Sequence, residues 1–421
     1  RTVHTGLLEY KNVYRPARVI SYDKESGELV LHNYMDFDNL KDYVKISYEL
    51  TQDGLLIGKG KLDEVSVVPH SEGKTNLQVN VPENGKCYLK LTYHLKKEMP
   101  LLEEDYILGF DEIEVSQKDA KCQLAEKWVE KTVTDSELQV SEDDTQIHIK
   151  GREFAYTIDR RTALFTEMKF AGREYLNHPM ELNIWRAPTD NDMYIKSEWK
   201  KAHYDKAYTR AYTTEVVQGK HGVKITSHAS VVAETVQKIL DVTITWKIEA
   251  AGKIDADIAV TKDDEFPDLP RFGVRMFLDK KLSAARYFGM GPQESYCDKH
   301  QAASHGLYQA NVDDLHEDYI RPQENGSHYD CEYVELNNSR YGIVVSAENA
   351  FSFNASYYTQ EELEKKTHNY ELTESDSVVF CVDYALNGIG SNSCGPVVLD
   401  QYRFDDVLFR FQFTLIPYVK G

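Results

Sequence analysis

The sequence predicts an all-β protein in two modules: an N-terminal immunoglobulin-like β-sandwich followed by a second, larger β domain. Three observations carry this. Apolar residues recur at every second position along most of the chain, no long amphipathic helices alternate with these runs, and one charged stretch interrupts them. Residues 1–116 have the size and turn spacing of an immunoglobulin-like sandwich, without the Cys-Trp-Cys signature of antibody domains. Cys87, Leu89, Leu91, Tyr93 and Leu95 show the alternation there. Residues 117–142 are charged and poor in strand pattern, which reads as a linker. The large domain spans 143–421, and alternation resumes at Gln146-Ile147-His148-Ile149.

Within that domain Val242, Ile244, Trp246 and Ile248 fall on one strand face, with Thr243, Thr245, Lys247 and Glu249 on the other. Ile254, Ala256, Ile258 and Val260 repeat the pattern, as do Phe409, Phe411, Phe413 and Leu415. Strands solvated on one face belong to antiparallel sheets. One short helix is predicted over Thr359–Lys366, where Thr359 and Glu362 form a capping-box pair. Without alternating strands and long helices, neither a TIM barrel nor a Rossmann domain is expected inside this chain.

Composition narrows the partners. With 421 residues, 41% hydrophobic, the chain can bury ordinary cores, while a formal net charge of −20 disfavours nucleic acid and anionic membrane surfaces. No run approaches the roughly 18 apolar residues that span a bilayer. The opening Arg-Thr-Val-His shows neither a methionine nor a signal-peptide pattern, so the start is expected to be a cut. Six cysteines, at 87, 122, 297, 331, 381 and 394, include no Cys-x-x-Cys pair and are too sparse for a disulfide framework; they are expected to be reduced thiols.

Polar chemistry concentrates in a few segments. "NIWRAPTDND", 183–192, is a strand running into a loop: proline pushes Ala187 toward extended geometry and Thr-Asp-Asn-Asp bonds back to the chain. Two readings stand for its side chains. Trp185 and Arg186 pack as indole and stacked guanidinium, or Trp185 offers an apolar face to a polar ligand that bonds Arg186, Asn191 and Asp190 or Asp192. Asp190-Asn191-Asp192 lacks the ligand spacing, glycine and terminal glutamate of a calcium loop. In "GMGPQESYCDKHQAA", 289–303, the glycines shape a turn, and in "RPQENG", 321–326, Gly326 takes a left-handed position with Glu324 as a site candidate. His368, within "YTQEELEKKTHNYEL", 358–372, is either a solvated capping residue or a base. "NGIGSNSCGP", 387–396, describes an exposed turn positioned by its ends, with Cys394 either buried or exposed at its rim.

The segments 183–192, 289–303, 321–326 and 358–372, in this order, resemble the small-chain, C-terminal region of the glycoside hydrolase family 2 β-galactosidases. "HTGLLEYKNVYRP", 4–16, and "LHNYMDFDNL", 31–40, resemble the sandwich that precedes it. The resemblance implies that 143–421 is a galactose-mutarotase-like super-sandwich. It further implies that the chain is part of a full-length or split enzyme hydrolysing terminal β-D-galactosides, bracing an absent catalytic TIM barrel and closing one wall of its active site. The catalytic carboxylates would lie on that barrel, one of them after an asparagine; this chain has no Asn-Glu dipeptide, and no pair here can be assigned as nucleophile and acid/base. No catalytic residue is therefore expected, and the chain alone is expected to be inactive.

Candidate substrate-binding residues are Trp185, Arg186, Asp190, Asn191, Asp192, Glu324, His368, Asn392, Ser393 and Cys394. Cys394 stands near where the best-known relatives carry a tryptophan lining the leaving-sugar site, which points to a smaller, more polar contact through Asn392, Ser393 and backbone. The resemblance also implies no cofactor in this chain, with magnesium and sodium sites mainly on the barrel, and the barrel and a galactoside as partners. It allows a homo-oligomer and implies a bacterial cytoplasmic location. A free-standing mutarotase-like epimerase and a non-catalytic carbohydrate-binding module are the alternatives.

Overall fold

The computed structural model describes residues 3–124, 138–390 and 393–420 and is all-β, with short helices. It divides into two compact units. The first comprises the described residues through Leu124 together with Met290–Gln293 and His300–Tyr308; the second comprises the rest.

In the first unit, Ala17–Tyr22, Glu28–Asn33 and Glu72–Asn76 form one antiparallel sheet. Leu55–Lys61, Val44–Gln52, Cys87–Leu95 and Ile107–Glu114, in that spatial order, form the other. First, second and fifth strands against fourth, third, sixth and seventh is the partition of an immunoglobulin-like sandwich. Alternating residues of both sheets, Leu29 and Leu31 from one and Ile46, Leu89, Leu91 and Tyr93 from the other, fill a single core. The helix Thr5–Val13 buries only Thr5 and Asn12. Asn12 accepts from the Phe110 amide at 2.7 Å and donates to the Gln301 carbonyl at 2.8 Å, and His305 meets Glu112 at 2.8 Å.

In the second unit, Gln139–Glu142, Gln146–Lys150, Phe154–Asp159, Leu164–Phe170 and Arg173–Glu174 form a small antiparallel meander. The span read as a linker therefore already contains a strand at Gln139–Glu142; its residues 125–137 lie outside the described residues. A large antiparallel sheet follows the order Leu176–Asn183, Arg271–Asp279, Ser377–Leu386, Tyr341–Ser356, Leu408–Val419, Ile254–Lys262, Leu240–Glu249, Gly222–Val232, Tyr208–Gln218. Ser327–Asn337 pairs with Tyr341–Ser356 and with Ala284–Gly291. Val242, Ile244, Trp246, Ile248, Phe411, Phe413 and Leu415 are all buried, as their alternation requires. Trp246 joins the two sheets: its indole N–H donates to the Ala163 carbonyl at 2.8 Å, and its ring meets Phe165 edge-on at 4.9 Å.

Gln360–Lys365 is helical, with Thr359 accepting from the Glu362 amide at 3.1 Å. The Glu362 carboxylate does not close the expected capping box; it accepts from the Thr373 amide at 2.8 Å. The helices Thr5–Val13 and Ile195–Lys201 go beyond the one helix read from sequence.

Candidate functional site

The 183–192 segment leaves the strand Leu176–Asn183 and closes in one 3-10 turn, Asp190–Asp192. Asp192 satisfies that turn: Oδ2 accepts from the Thr189 amide at 2.8 Å and its hydroxyl at 3.1 Å. Its Oδ1 accepts from Arg186 Nη2 at 2.7 Å. Arg186 is fully buried and also donates to the carbonyls of Asn387 and, at 3.1 Å, Gly388. A guanidinium can be held away from water only with such a set of acceptors. It lies over the ring of Trp199, 5.2 Å from the centroid, rather than over Trp185. The reason is the helix Ile195–Lys201, which carries the fully buried Trp199; Trp185 meets that ring edge-on at 6.2 Å. Trp185 is itself buried, and its Nε1 has no acceptor among the described residues; the residue lines a pocket of about 320 Å³ with Glu181, Asn183, Tyr204 and Arg275.

These contacts converge on the root of the 387–396 loop. Asn191 Nδ2 donates to the Ile389 carbonyl at 2.7 Å, and the amides of Ile389 and Gly390 donate to the Asp298 carboxylate at 3.0 and 2.7 Å. The Asn387 amide reaches Pro270 O at 3.0 Å and the Gly388 amide reaches Tyr402 O at 2.8 Å. Every N–H from 387 to 390 and every carbonyl from 387 to 389 thus has a partner. The root is fixed along its length, not by its ends alone. A Cβ at Gly388 or Gly390 would sit 2.7 or 2.9 Å from Asp298 Oδ2, so the close approach of that carboxylate requires glycine. Asp298 lies inside the 289–303 segment, where the sequence directs attention to the glycine turn.

Glu324 joins the same knot. Its amide donates to the Ala187 carbonyl at 3.0 Å, and Gln323 Oε1 accepts from the Asp190 amide at 3.0 Å, while the Asp190 side chain stays exposed. The Glu324 carboxylate is buried 3.4 Å from Arg271, whose guanidinium binds Asp383 through two nitrogens at 2.6 and 3.1 Å. Burial raises the Glu324 carboxyl above the ordinary range, against the pull of Arg271 and Arg186. Beside it, Glu294 accepts from Lys299 and the Tyr319 hydroxyl at 2.5 Å each and from the Gly326 amide at 2.8 Å. Burial works to raise Glu294, but Lys299 and Tyr319 hold its carboxyl below the usual range. Gly326 is left-handed, with φ +70°, as the turn reading expects.

The other candidates stand apart. His368 is half exposed, bonds the Thr367 hydroxyl at 3.0 Å and stacks on Tyr370. Ser393 is half-buried and Cys394 exposed, and neither bonds the knot among the described residues; Asn392 lies outside them. Among the described residues no group of His, Cys, Asp or Glu is placed to hold a metal, and Asp192 is already committed to Arg186 and Thr189. Among the described residues no helix is long and apolar enough to cross a membrane.

The six thiols differ sharply. Cys87, Cys122, Cys331 and Cys381 are buried, and burial pushes the Cys297 thiol up to about 12. A thiol-reactive reagent under native conditions is expected to modify one cysteine rapidly, with Cys394→Ser abolishing that phase; a second fast thiol would show that the unit carrying it opens.

Residues 150–415 match the model of the β-galactosidase small chain, and residues 29–116 match that of β-galactosidase domain 4. The chain is 42% identical over 418 residues to a β-galactosidase of Actinobacillus pleuropneumoniae, covering 99% of this chain and 40% of that protein. It is 30% identical over 421 residues to one of Staphylococcus xylosus, covering 99% and 41%. A galactose 1-epimerase from Lactobacillus acidophilus aligns with 69% of this chain and 100% of its own at a TM-score of 0.37 and 9% identity. The chain thus spans about 40% of the length of the curated relatives it matches. With the small-chain match running through the large β domain and the second match through the sandwich before it, the chain belongs to the β-galactosidase small-chain family.

Proposed function

We propose that this chain is the C-terminal part of a β-galactosidase acting on terminal β-D-galactosides, that it braces a catalytic region it does not itself contain, and that the loop rooted at 387–390 forms one wall of the active site. The observation that carries this is the loop root: the N–H groups of 387–390 and the carbonyls of 387–389 are all met, by Arg186, Asn191, Asp298, Pro270 and Tyr402, while Cys394 beyond it is exposed. A loop held firmly at its base is how binding loops are positioned on a scaffold. Identity to named β-galactosidases along 99% of the chain supports the galactoside.

A further support lies in the first unit. The helix Thr5–Val13 leaves Leu7, Tyr10 and Val13 exposed, and Tyr14 just past it, with the Tyr10 and Tyr14 rings 4.4 Å apart. Such an apolar, tyrosine-rich stripe suits a surface covered by another domain. Six cysteines with no disulfide among the described residues suit a reducing compartment, in keeping with the bacterial cytoplasm.

The test is turnover. The purified chain is expected to release no nitrophenol from nitrophenyl β-galactoside above the buffer rate, and addition of the remaining part of the enzyme is expected to restore release. Hydrolysis by the chain alone, with contaminating enzyme excluded, would overturn the reading.

A further inference from the structure

A second cleft lies in the large unit, sharing no residue with the loop root. The strands Ala284–Gly291 and Ser327–Asn337 set Arg286 directly opposite Glu335, and both line a cleft of about 1050 Å³. Opposite charges facing each other across an antiparallel pair ordinarily interact. Here they do not. Glu335, only 5% exposed, accepts from the Tyr333 hydroxyl at 2.7 Å and from the Tyr418 hydroxyl, so two phenols occupy its carboxylate. Arg286 makes no hydrogen bond or ion pair among the described residues, and its Nε is enclosed without an acceptor. A buried donor left unmet is destabilising. The facing carboxylate instead accepts one phenol on each oxygen.

Two more polar groups in the wall are uncommitted: Gln309 and Asn337 make no side-chain hydrogen bond among the described residues. An amide both donates and accepts, which matches a hydroxyl. The charges in the wall balance, with Lys253, Arg286 and Lys420 against Glu153, Asp314 and Glu335, in a chain of net charge −20. Lys253 is engaged by Glu249 at 2.7 Å. One added negative charge is therefore accommodated at Arg286, whereas a dianion meets three carboxylates.

We propose that this cleft binds a small hydroxylated monocarboxylate, of the sugar-acid class, with its carboxylate on the Arg286 guanidinium and its hydroxyls on Gln309 and Asn337. A planar fork facing a planar carboxylate gives the paired, charge-assisted bonds that select this group over a neutral sugar.

Ligand-observed NMR titration of the 421-residue chain with glucuronate tests it. Glucuronate is expected to saturate in the millimolar range, glucose to bind at least about tenfold more weakly, and Arg286→Ala to weaken glucuronate by at least about tenfold. Arg286→Lys, which keeps the charge without the fork and serves if the alanine variant fails to fold, should lose severalfold. Equal binding of glucuronate and glucose, no saturation by glucuronate, affinity unchanged in folded variants, or inorganic phosphate binding as tightly as glucuronate would each overturn the proposal.

Discussion

Replacing Arg271 by methionine is expected to lower stability by about 3–5 kcal/mol at pH 7, the scale for removing one partner of a buried ion cluster. Arg271 is fully buried, held by Asp383 through two nitrogens and 3.4 Å from Glu324, and both carboxylates are themselves buried. Methionine fills comparable space but leaves two carboxylates out of water without their cation. The deficit should depend on pH, and its sign follows from Glu324. Burial already raises that carboxyl, with Arg271 foremost among the groups opposing the rise, so the substitution raises it further. A carboxyl whose pKa is higher folded than unfolded contributes stability that is complete below the unfolded value and lost as pH rises through the folded one. The difference between variant and parent should therefore be largest near neutrality and shrink as pH falls toward the unfolded carboxyl range of about 4–4.5. Denaturant unfolding of both proteins at pH 7 and pH 5 measures it. A deficit independent of pH would mean that the orphaned carboxylates find other partners.

Much of the fold was legible because burial on a strand has a period of two, and a one-residue slip would expose the whole apolar set. That is why the faces read at 242–248 and 409–415 are the buried ones. The missed elements lack such a signal. Thr5–Val13 buries a threonine and an asparagine, and Ile195–Lys201 buries Trp199 alone, so neither shows an apolar stripe facing a core. Gln139–Glu142 is an edge strand in a charged stretch with no buried position. Nor does anything in the sequence mark the return of His300–Tyr308 to the first unit.

The candidate site was half legible for a related reason. A turn carrying one arginine and two aspartates announces internal pairing, and Arg186–Asp192 is that pair, six residues apart. The loop carbonyls that Arg186 holds lie some two hundred residues away, and Asp298 approaches the same loop from a third segment. Such partners are set by the order of strands in the sheet, which alternation does not encode. For Trp185 the sequence left packing and ligand contact open. Its burial against Trp199 favours packing, and its unpartnered indole N–H in a pocket wall is the feature that a ligand hydroxyl would complete.

Arg186→Met is expected to be comparably destabilising, by about 3–5 kcal/mol, because it strips donors from the carbonyls of Asn387 and Gly388 and leaves Asp192 as a buried, unpaired charge. A global loss alone would not show that Arg186 holds the loop, so the informative companion is Asn191→Ala. That change removes a single neutral bond, to the Ile389 carbonyl, worth about 1 kcal/mol, and touches no buried charge. If the root is one cooperative knot, losing this bond should let the Ile389 and Gly390 amides leave Asp298 more often, raising their hydrogen exchange about fivefold while the strand Ser377–Leu386 keeps its protection. Arg186→Met should raise the same exchange further still. Mass spectrometry on a peptide covering 387–390, with one from 377–386 as internal reference, separates the outcomes. Unchanged exchange at 387–390 in both variants, with global stability lowered only in Arg186→Met, would mean that Arg186 supports the core and not the loop, and that the 183–192 segment does not clamp the 387–390 root.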